Sequence, residues 1–325
     1  MPRVFIDGSA GTTGLRIRER LAVRRDLELV ILPEATRKDP AARADALNGA
    51  DVAFLCLPDA AAVEAVAMVA NPATVVIDTS TAHRVDSGWT YGFPELAGQR
   101  GKIAASRRIA NPGCHATGFI ALVAPLVQRG LVAPDAALSA FSLTGYSGGG
   151  KKMIADYAPL TAAEPPNDPT TQPPHHLTLL GGRQYALGQA HKHLPEMVKV
   201  CGLAKAPVFS PIVVPHLSGM EVTVPLHASQ LKGDLAAIKS CYRDYYAQNG
   251  LVRFVDDPAA DEGGFMSSAA LSGRDDLEVS AYGNAERVVL VARFDNLGKG
   301  ASGAAIQNMN LALGADERTG LVYTT

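Results

Sequence analysis

The sequence predicts an α/β chain: a doubly wound parallel sheet first, then a second, α+β domain. Three observations predict it. Short, nearly unbroken apolar runs alternate with helix-like stretches through the first third of the chain. Beyond about residue 136 the strands lengthen and the helices between them thin out. The length, 325 residues, suits two domains at roughly 150 residues each.

The first strand is Arg3–Asp7 (RVFID), which runs into glycine, and Leu27–Leu32, Asp51–Leu57 and Thr74–Asp78 repeat the pattern. Continuous apolar runs suit strands covered on both faces, as right-handed crossover helices cover a parallel sheet. Thr12–Arg24, Pro40–Leu47 and the alanine-rich Asp59–Ala70 supply those helices, and Ile103–Ser106 reads as a fifth strand. His115–Gln128 reads as a helix after a proline–glycine turn. Leu138–Thr144, Val208–His216, Met220–His227, Val252–Val255, Leu277–Ala281 and Val288–Phe294 are then strands, with Asp234–Gln248 the one clear amphipathic helix among them. Many strands and few helices imply a mixed or antiparallel sheet whose open face needs cover, a second subunit being one candidate. Glu164–Pro174 is expected to be an ordered proline-rich surface loop. Gly298–Gly303 opens a final helix, Ala304–Leu313.

Composition narrows the function. A hydrophobic share of 47% argues against disorder. Thirty basic against thirty-two acidic residues leave a net charge of −2, which offers no footprint for nucleic acid or an anionic membrane. The apolar run from Gly118 to Val127 is broken by Pro125 and falls short of the roughly 18 residues a spanning helix needs. Cysteines stand at 56, 114, 201 and 241 with no close pair, so neither a disulfide frame nor a Cys-x-x-Cys zinc knot is expected. The expectation is a soluble, cytoplasmic chain with no nucleic-acid or membrane partner.

Gly8-Ser9-Ala10-Gly11-Thr12-Thr13-Gly14 follows the first strand and opens the first helix. Small residues let the backbone approach a pyrophosphate, and a helix start offers N–H groups and a favourable dipole. That makes the domain Rossmann-like and dinucleotide-binding. Near the end of the second strand, Glu34 stands where an acid would hold a ribose 2′-hydroxyl, whereas Thr36, Arg37 and Lys38 suit a 2′-phosphate. The reading leans to NADP over NAD.

Asn111-Pro112-Gly113-Cys114-His115 places Cys114 at a helix start, where negative charge is favoured, and so makes it a candidate nucleophile. Cys56, inside an apolar run, reads as a buried structural thiol. In His191-Lys192-His193-Leu194-Pro195-Glu196 the two imidazoles share a face if the chain is extended, and either can exchange protons near neutral pH. Zinc is the competing use of these histidines, with His175, His176 or His216 as further ligands; no metal is expected. Thr144–Lys152, with Ser147, Gly148 and Lys151, can form an anion nest, and Arg107 and Arg108 can anchor a carboxylate.

These strings together resemble the shorter variety of N-acetyl-γ-glutamyl-phosphate reductases, of the semialdehyde dehydrogenase superfamily. The likeness runs over nearly the whole chain. It takes in the glycine turn, Asp78–Arg84 (DTSTAHR), Tyr91–Leu96 (YGFPEL), NPGCHATG, TGYSGGGK, HKHLPE, Val214–Leu217 and Gly300–Asn310 (GASGAAIQNMN). The family commonly has Tyr where His115 follows the cysteine. Its longer variety places P-M-x-R-G where Ser218–Glu221 stands, which leaves no arginine to carry over there.

The resemblance implies an arginine-biosynthetic oxidoreductase that reduces an acyl phosphate with NADPH through a cysteine thioester and releases inorganic phosphate. Cys114 would be the nucleophile and His193 the acid/base, with His191 as runner-up. Ser80 and Gln307 would join the cofactor site, with Gln307 or Asn308 facing the nicotinamide, and Arg84 and Glu196 the substrate and phosphate site. Residues 1–114 with 299–325 would form the dinucleotide-binding domain and 115–298 a catalytic and oligomerisation domain, in a homodimer or homotetramer. The competing classes are an aspartate-semialdehyde dehydrogenase and a dinucleotide-binding redox sensor.

Overall fold

In a computed structural model, which describes residues 1–162, 178–248 and 250–324, the chain divides into two units. The first comprises Met1–Cys114 and Lys299–Thr325, the second His115–Gly298.

The first unit holds a six-stranded sheet of β1 (Arg3–Asp7), β2 (Glu28–Val30), β3 (Val52–Leu55), β4 (Val75–Asp78), β5 (Thr90–Tyr91) and β6 (Arg108–Ala110). The order is β2-β1-β3-β4-β6-β5 and every pairing is parallel. Alternate side chains feed two cores. Val4, Ile6, Val52, Phe54, Val75 and Ile77 pack against Ile17 and Leu21 of α1 (Thr12–Leu21), Ile103 of α4 (Gln99–Ala105), and Ala305, Ile306 and Met309 of the last helix, Gly303–Ala312. Phe5, Ala53, Leu55 and Val76 pack on the other side, against Leu47 of α2 (Pro40–Asn48) and Ala62 and Ala65 of α3 (Asp59–Ala67). Both faces are dry, which is why these strands read as unbroken apolar runs.

Ile103–Ser106 corrects the sequence reading. Ile103 lies in helix α4, which starts after Gly98 in the left-handed region (φ 70°) and ends at Ser106. The fifth and sixth strands are instead Thr90–Tyr91 and Arg108–Ala110. One buried isoleucine on a short alanine-rich helix had the look of a short strand, and length could not separate the two.

The second unit holds a seven-stranded mixed sheet in the order β11-β12-β13-β10-β7-β9-β8. Its strands are β7 (Ser139–Gly145), β8 (Arg183–Gln184), β9 (Val208–Val214), β10 (Met220–His227), β11 (Val252–Phe254), β12 (Leu277–Gly283) and β13 (Arg287–Phe294). Helix α5 (Cys114–Gln128) lies on one face, so close that a Cβ on Gly118 would sit 2.5 Å from Val222. Tyr242 and Tyr246, from the helix Leu235–Tyr245 and its C-cap, donate to the carbonyls of Leu122 and Ala121 and tie the two helices together. The opposite face carries Phe141, 47% exposed, and a charged row of Glu278, Arg293 and Glu221 in register.

Two further helices, α6 (Gly150–Ala162) and α7 (Leu194–Cys201), were not legible beside the one clear amphipathic helix, here α8 (Leu235–Tyr245). The proline-rich stretch Glu164–Pro174, with His175 and His176, lies outside the described residues. No helix of the described residues is long and apolar enough to cross a membrane.

Candidate active site

Within the first unit, the C-terminal ends of the parallel strands carry the expected dinucleotide turn. Gly8 adopts φ +86°, and a Cβ there would meet the Cys56 carbonyl oxygen at 2.3 Å; on Gly14 it would meet the Gly8 oxygen at 2.5 Å. Both glycines are therefore required by the turn itself. Gly11 differs, because its Cβ would find only ordinary contacts, the nearest at 3.5 Å. Gly11 is also the N-cap of α1 and supplies no side-chain cap, whereas Asp39 caps α2 through the N–H groups of Ala41 and Ala42. An N-terminus left without a side-chain cap beside small residues fits a pyrophosphate.

Next to this turn lies a cavity of about 210 Å³ lined by Asp7, Gly8, Ser9, Arg37, Lys38 and Arg43, among others. Three of those side chains are cationic. Arg37 pairs with Glu34 at 2.5 Å, so the two competing ribose readings are one ion pair here. Arg43 forks onto the buried carboxylate of Asp7 at 2.8 and 3.0 Å. Sequence reasoning missed Arg43; its only sign was a basic residue one turn into the second helix. The glycine turn and the cation-lined cavity together fit a nicotinamide dinucleotide.

Cys114 is the first residue of α5 and is partly accessible. The other three thiols are poor nucleophiles by environment. Burial pushes Cys56 up to about 12, and raises Cys201 and Cys241 as well. Only the deprotonated sulfur attacks, so these three thiols are held in their unreactive form, although Cys56 is partly accessible at the surface, as Cys114 is.

In the second unit, His191 and His193 come together, though not on an extended chain. His193 has helical dihedrals (φ −87°, ψ −12°) as the N-cap of α7, and the turn before it folds His191 back, so that its Nδ1 accepts from the His193 N–H at 3.2 Å. Pro195 sits in the first turn of that helix, where a missing N–H costs nothing, and this explains the local geometry. The rings meet edge to face, 4.7 Å between centroids.

A third histidine joins them. His115 lies 5.3 Å from His191 and 5.5 Å from His193, and it is buried. Its Nδ1 bonds the Ser142 hydroxyl and its Nε2 the Tyr185 hydroxyl, each at 2.7 Å. Burial first, and the neighbouring His191 second, push its pKa down to about 3, so the ring is neutral. Sequence reading noticed His115 only as a departure from the family pattern. Among the described residues no group of three or more His, Cys, Asp or Glu side chains is arranged to hold a metal.

The remaining candidates are placed less simply. Ser80 donates its hydroxyl to Asp78 at 2.7 Å, the same carboxylate that His83 contacts. Arg84 is buried and donates to the carbonyls of Asn111 and Thr79. Arg107 is exposed just ahead of β6, at the opposite end of that strand from Asn111 and Cys114. Gln307, expected on the cofactor, is fully buried: it accepts from Lys299 Nζ and donates to Glu95 and Glu317. Ser147 is buried and accepts from Asn296 Nδ2, and Lys151 is exposed in the first turn of α6 beside Gly148. Glu196 is buried in the first turn of α7, three residues after His193.

Family models match both parts of the chain: a semialdehyde dehydrogenase NAD-binding domain over residues 33–104 and a semialdehyde dehydrogenase dimerisation domain over 114–296. N-acetyl-γ-glutamyl-phosphate reductase of Burkholderia ambifaria is 46% identical over 97% of this chain and 97% of its own. The Brucella ovis enzyme of that name is 45% identical over 96% of this chain and 99% of its own. The chain belongs to the N-acetyl-γ-glutamyl-phosphate reductase family.

Among solved structures, aspartate semialdehyde dehydrogenase II from Vibrio cholerae superposes with a TM-score of 0.71 over 96% of this chain and 98% of its own, at 17% identity. The Francisella tularensis aspartate semialdehyde dehydrogenase superposes with the same TM-score, over 96% and 99% of the two chains, at 15% identity. At that identity the likeness shows the fold alone. The curated relatives at 44–46% identity favour the glutamyl-phosphate reductases over the aspartate enzymes.

Proposed function

We propose that this member of the reductase family reduces N-acetyl-γ-glutamyl phosphate to N-acetylglutamate semialdehyde and inorganic phosphate, through a thioester on Cys114. The observation that carries the reading is the placement of a partly accessible thiol as the first residue of α5, while desolvation raises the other three. A base takes the Cys114 proton, the sulfur bonds the acyl carbon, and the carbon–oxygen bond to phosphate breaks. NADPH supplies the hydride that reduces the thioester. The thiohemiacetal on Cys114 then loses its hydroxyl proton, the carbon–sulfur bond breaks, and the aldehyde leaves. The first-turn N–H groups of α5 suit the tetrahedral oxyanion.

His193 is the acid/base in this proposal. It sits at the start of α7 against a neutral His115, and Glu196 and His191 lie on the same short segment. Ser147, Gly148 and Lys151 serve the leaving phosphate. The choice of NADPH over NADH rests on Arg37, Lys38 and Arg43 around one cavity, a density of positive charge suited to a 2′-phosphate. Arg84, Ser80 and Gln307 act behind the site, through the backbone and side chains they hold.

The reading also makes the protein a cytoplasmic homo-oligomer, with its thiols kept reduced. The second copy covers the sheet face that carries Phe141, an assignment supported by the dimerisation-domain match over 114–296. Sedimentation equilibrium reads a dimer or tetramer if this holds, and a monomer at micromolar concentration contradicts it.

Phosphate-dependent reduction of NADP, assayed in the reverse direction, tests the reaction. N-acetylglutamate semialdehyde should be turned over and aspartate semialdehyde should not. The opposite preference would transfer the chain to the aspartate enzymes, and tight NADPH binding with no turnover of either would indicate a sensor.

A further inference from the structure

Three residues before Cys114 stands a side chain with an unusual set of partners. Asn111 is 1% exposed, and all four of its polar groups are engaged. Its N–H donates to the Asp78 carbonyl at the end of β4 at 2.8 Å. Its carbonyl accepts from Arg84 Nε at 2.9 Å. Its Nδ2 donates to the Ala301 carbonyl at 3.0 Å, and its Oδ1 accepts from Asn308 Nδ2 at 3.1 Å. Four separate segments of the first unit therefore converge on one residue.

Those segments are themselves fixed. Ala301 belongs to a π-helical turn, Gly298–Ser302. Lys299 of that turn is buried and bonds both Glu95 carboxylate oxygens, at 2.7 and 2.8 Å, and Gln307 at 2.5 Å. Burial would raise the Glu95 carboxyl, but Lys299 and Gln307 outweigh it and hold it below its ordinary range. Asn308 also donates to the Gly92 carbonyl at 2.9 Å, and a Cβ on Gly92 would come within 2.4 Å of that amide nitrogen. The glycine of the YGFPEL string is thus the space that Asn308 needs. A π-turn, here leading directly into the last helix, is uncommon and recurs at functional sites. Here it aims the Ala301 carbonyl at Asn111.

From Asn111 to Cys114 the chain has little freedom. Pro112 fixes its own φ and restricts the residue before it, and Cys114 already lies in the helix. We infer that Asn111 is a positioning residue: clamped by Asp78, Arg84, Ala301 and Asn308, it sets where the Cys114 sulfur stands when the acyl phosphate arrives. The inference rests on the thioester reading above. Catalysis is sensitive to such placement, since a shift of about 1 Å can cost about 100-fold in rate.

The test is Asn111→Asp, which keeps the size and the acceptor toward Asn308 but sets an oxygen against the Ala301 carbonyl. In the purified full-length enzyme, kcat and the rate of Cys114 alkylation by iodoacetamide should fall together by about 100-fold. KM for the acyl phosphate and NADPH affinity should stay near wild type, while the thermal midpoint falls because the buried carboxylate and the Ala301 carbonyl lose their hydrogen bond. Gly92→Ala, which displaces Asn308 without touching Asn111, should lower the same two rates by about tenfold. Wild-type kcat and alkylation in folded Asn111→Asp overturn the inference, as does a loss carried by KM or NADPH affinity instead. If Asn111→Asp does not fold, Gly92→Ala decides by the same readouts. Acyl labelling of the wild type separates the two claims. Label absent from Cys114 overturns the thioester reading and this inference with it, while label on Cys114 with both variants like wild type overturns this inference alone.

Discussion

His115 shows how one buried side chain ties stability to pH. Its pKa is about 3 in the folded protein, against 6.5 for a free imidazole. Above pH 6.5 the ring is neutral in both states and its stabilisation is complete. As pH falls below 6.5 the unfolded chain takes up a proton that the folded chain refuses, and stability declines until about pH 3. His115→Phe removes the proton-linked part. It also removes the imidazole partner of the buried Ser142 hydroxyl, so at pH 7 the variant should be less stable by about 1–3 kcal/mol. From pH 7 to pH 5 that gap should shrink by about 2 kcal/mol, read by urea titration at both pH values. A gap that stays constant would show that His115 ionises like a solvated histidine. Two glycines of the turn divide in the same way between fold and ligand. Gly8→Ala should lower the thermal midpoint, because it forces a side chain onto the Cys56 carbonyl. Gly11→Val should leave the midpoint in place and weaken NADPH binding, read by fluorescence titration. Equal effects on both properties at both positions would contradict the division.

At the scale of elements, the loop after β2 and the start of α2 form a small cationic enclosure. Arg37, Lys38 and Arg43 line it, and Asp7 is the acid that orients Arg43. Arg37→Glu should weaken NADPH by about 10–100-fold, the worth of one charge-assisted hydrogen bond. NADH affinity should change little, and equal losses for the two would remove the 2′-phosphate assignment. Much of this was legible in the chain. The strands β1, β3, β4 and β10 declared themselves because burial on both faces, or clean alternation on one, leaves a strong pattern. The segment around Ile103 did not, since a single buried isoleucine carries no period. The HKHLPE segment suggested the right pairing of imidazoles for the wrong backbone. Residues two apart also meet in a tight turn, and the Pro195 that follows His193 was the clue to a helix start.

For the whole molecule, the same asymmetry separates what local sequence can report from what it cannot. Cys114 and the glycine turn are set by neighbours in the chain, so their placement at helix starts was readable. Asn111 depends on residues 27 to 197 positions away, and no local pattern records those partners. The last helix illustrates this, because its residues Ala305, Ile306 and Met309 complete a core begun at Val4. Likeness implies direct roles for Arg84 and Gln307, and the structure shows Arg84 bonded to the carbonyls of Asn111 and Thr79 and Gln307 to Lys299, Glu95 and Glu317. The central claim remains that one thiol carries the acyl group. Incubating the enzyme with N-acetyl-γ-glutamyl phosphate in the absence of NADPH, quenching in acid and mapping the acyl adduct by peptide mass tests it most directly. The account predicts the adduct on the peptide containing Cys114 and its loss in Cys114→Ser. An adduct on Cys56, Cys201 or Cys241, with Cys114 unmodified, would contradict it.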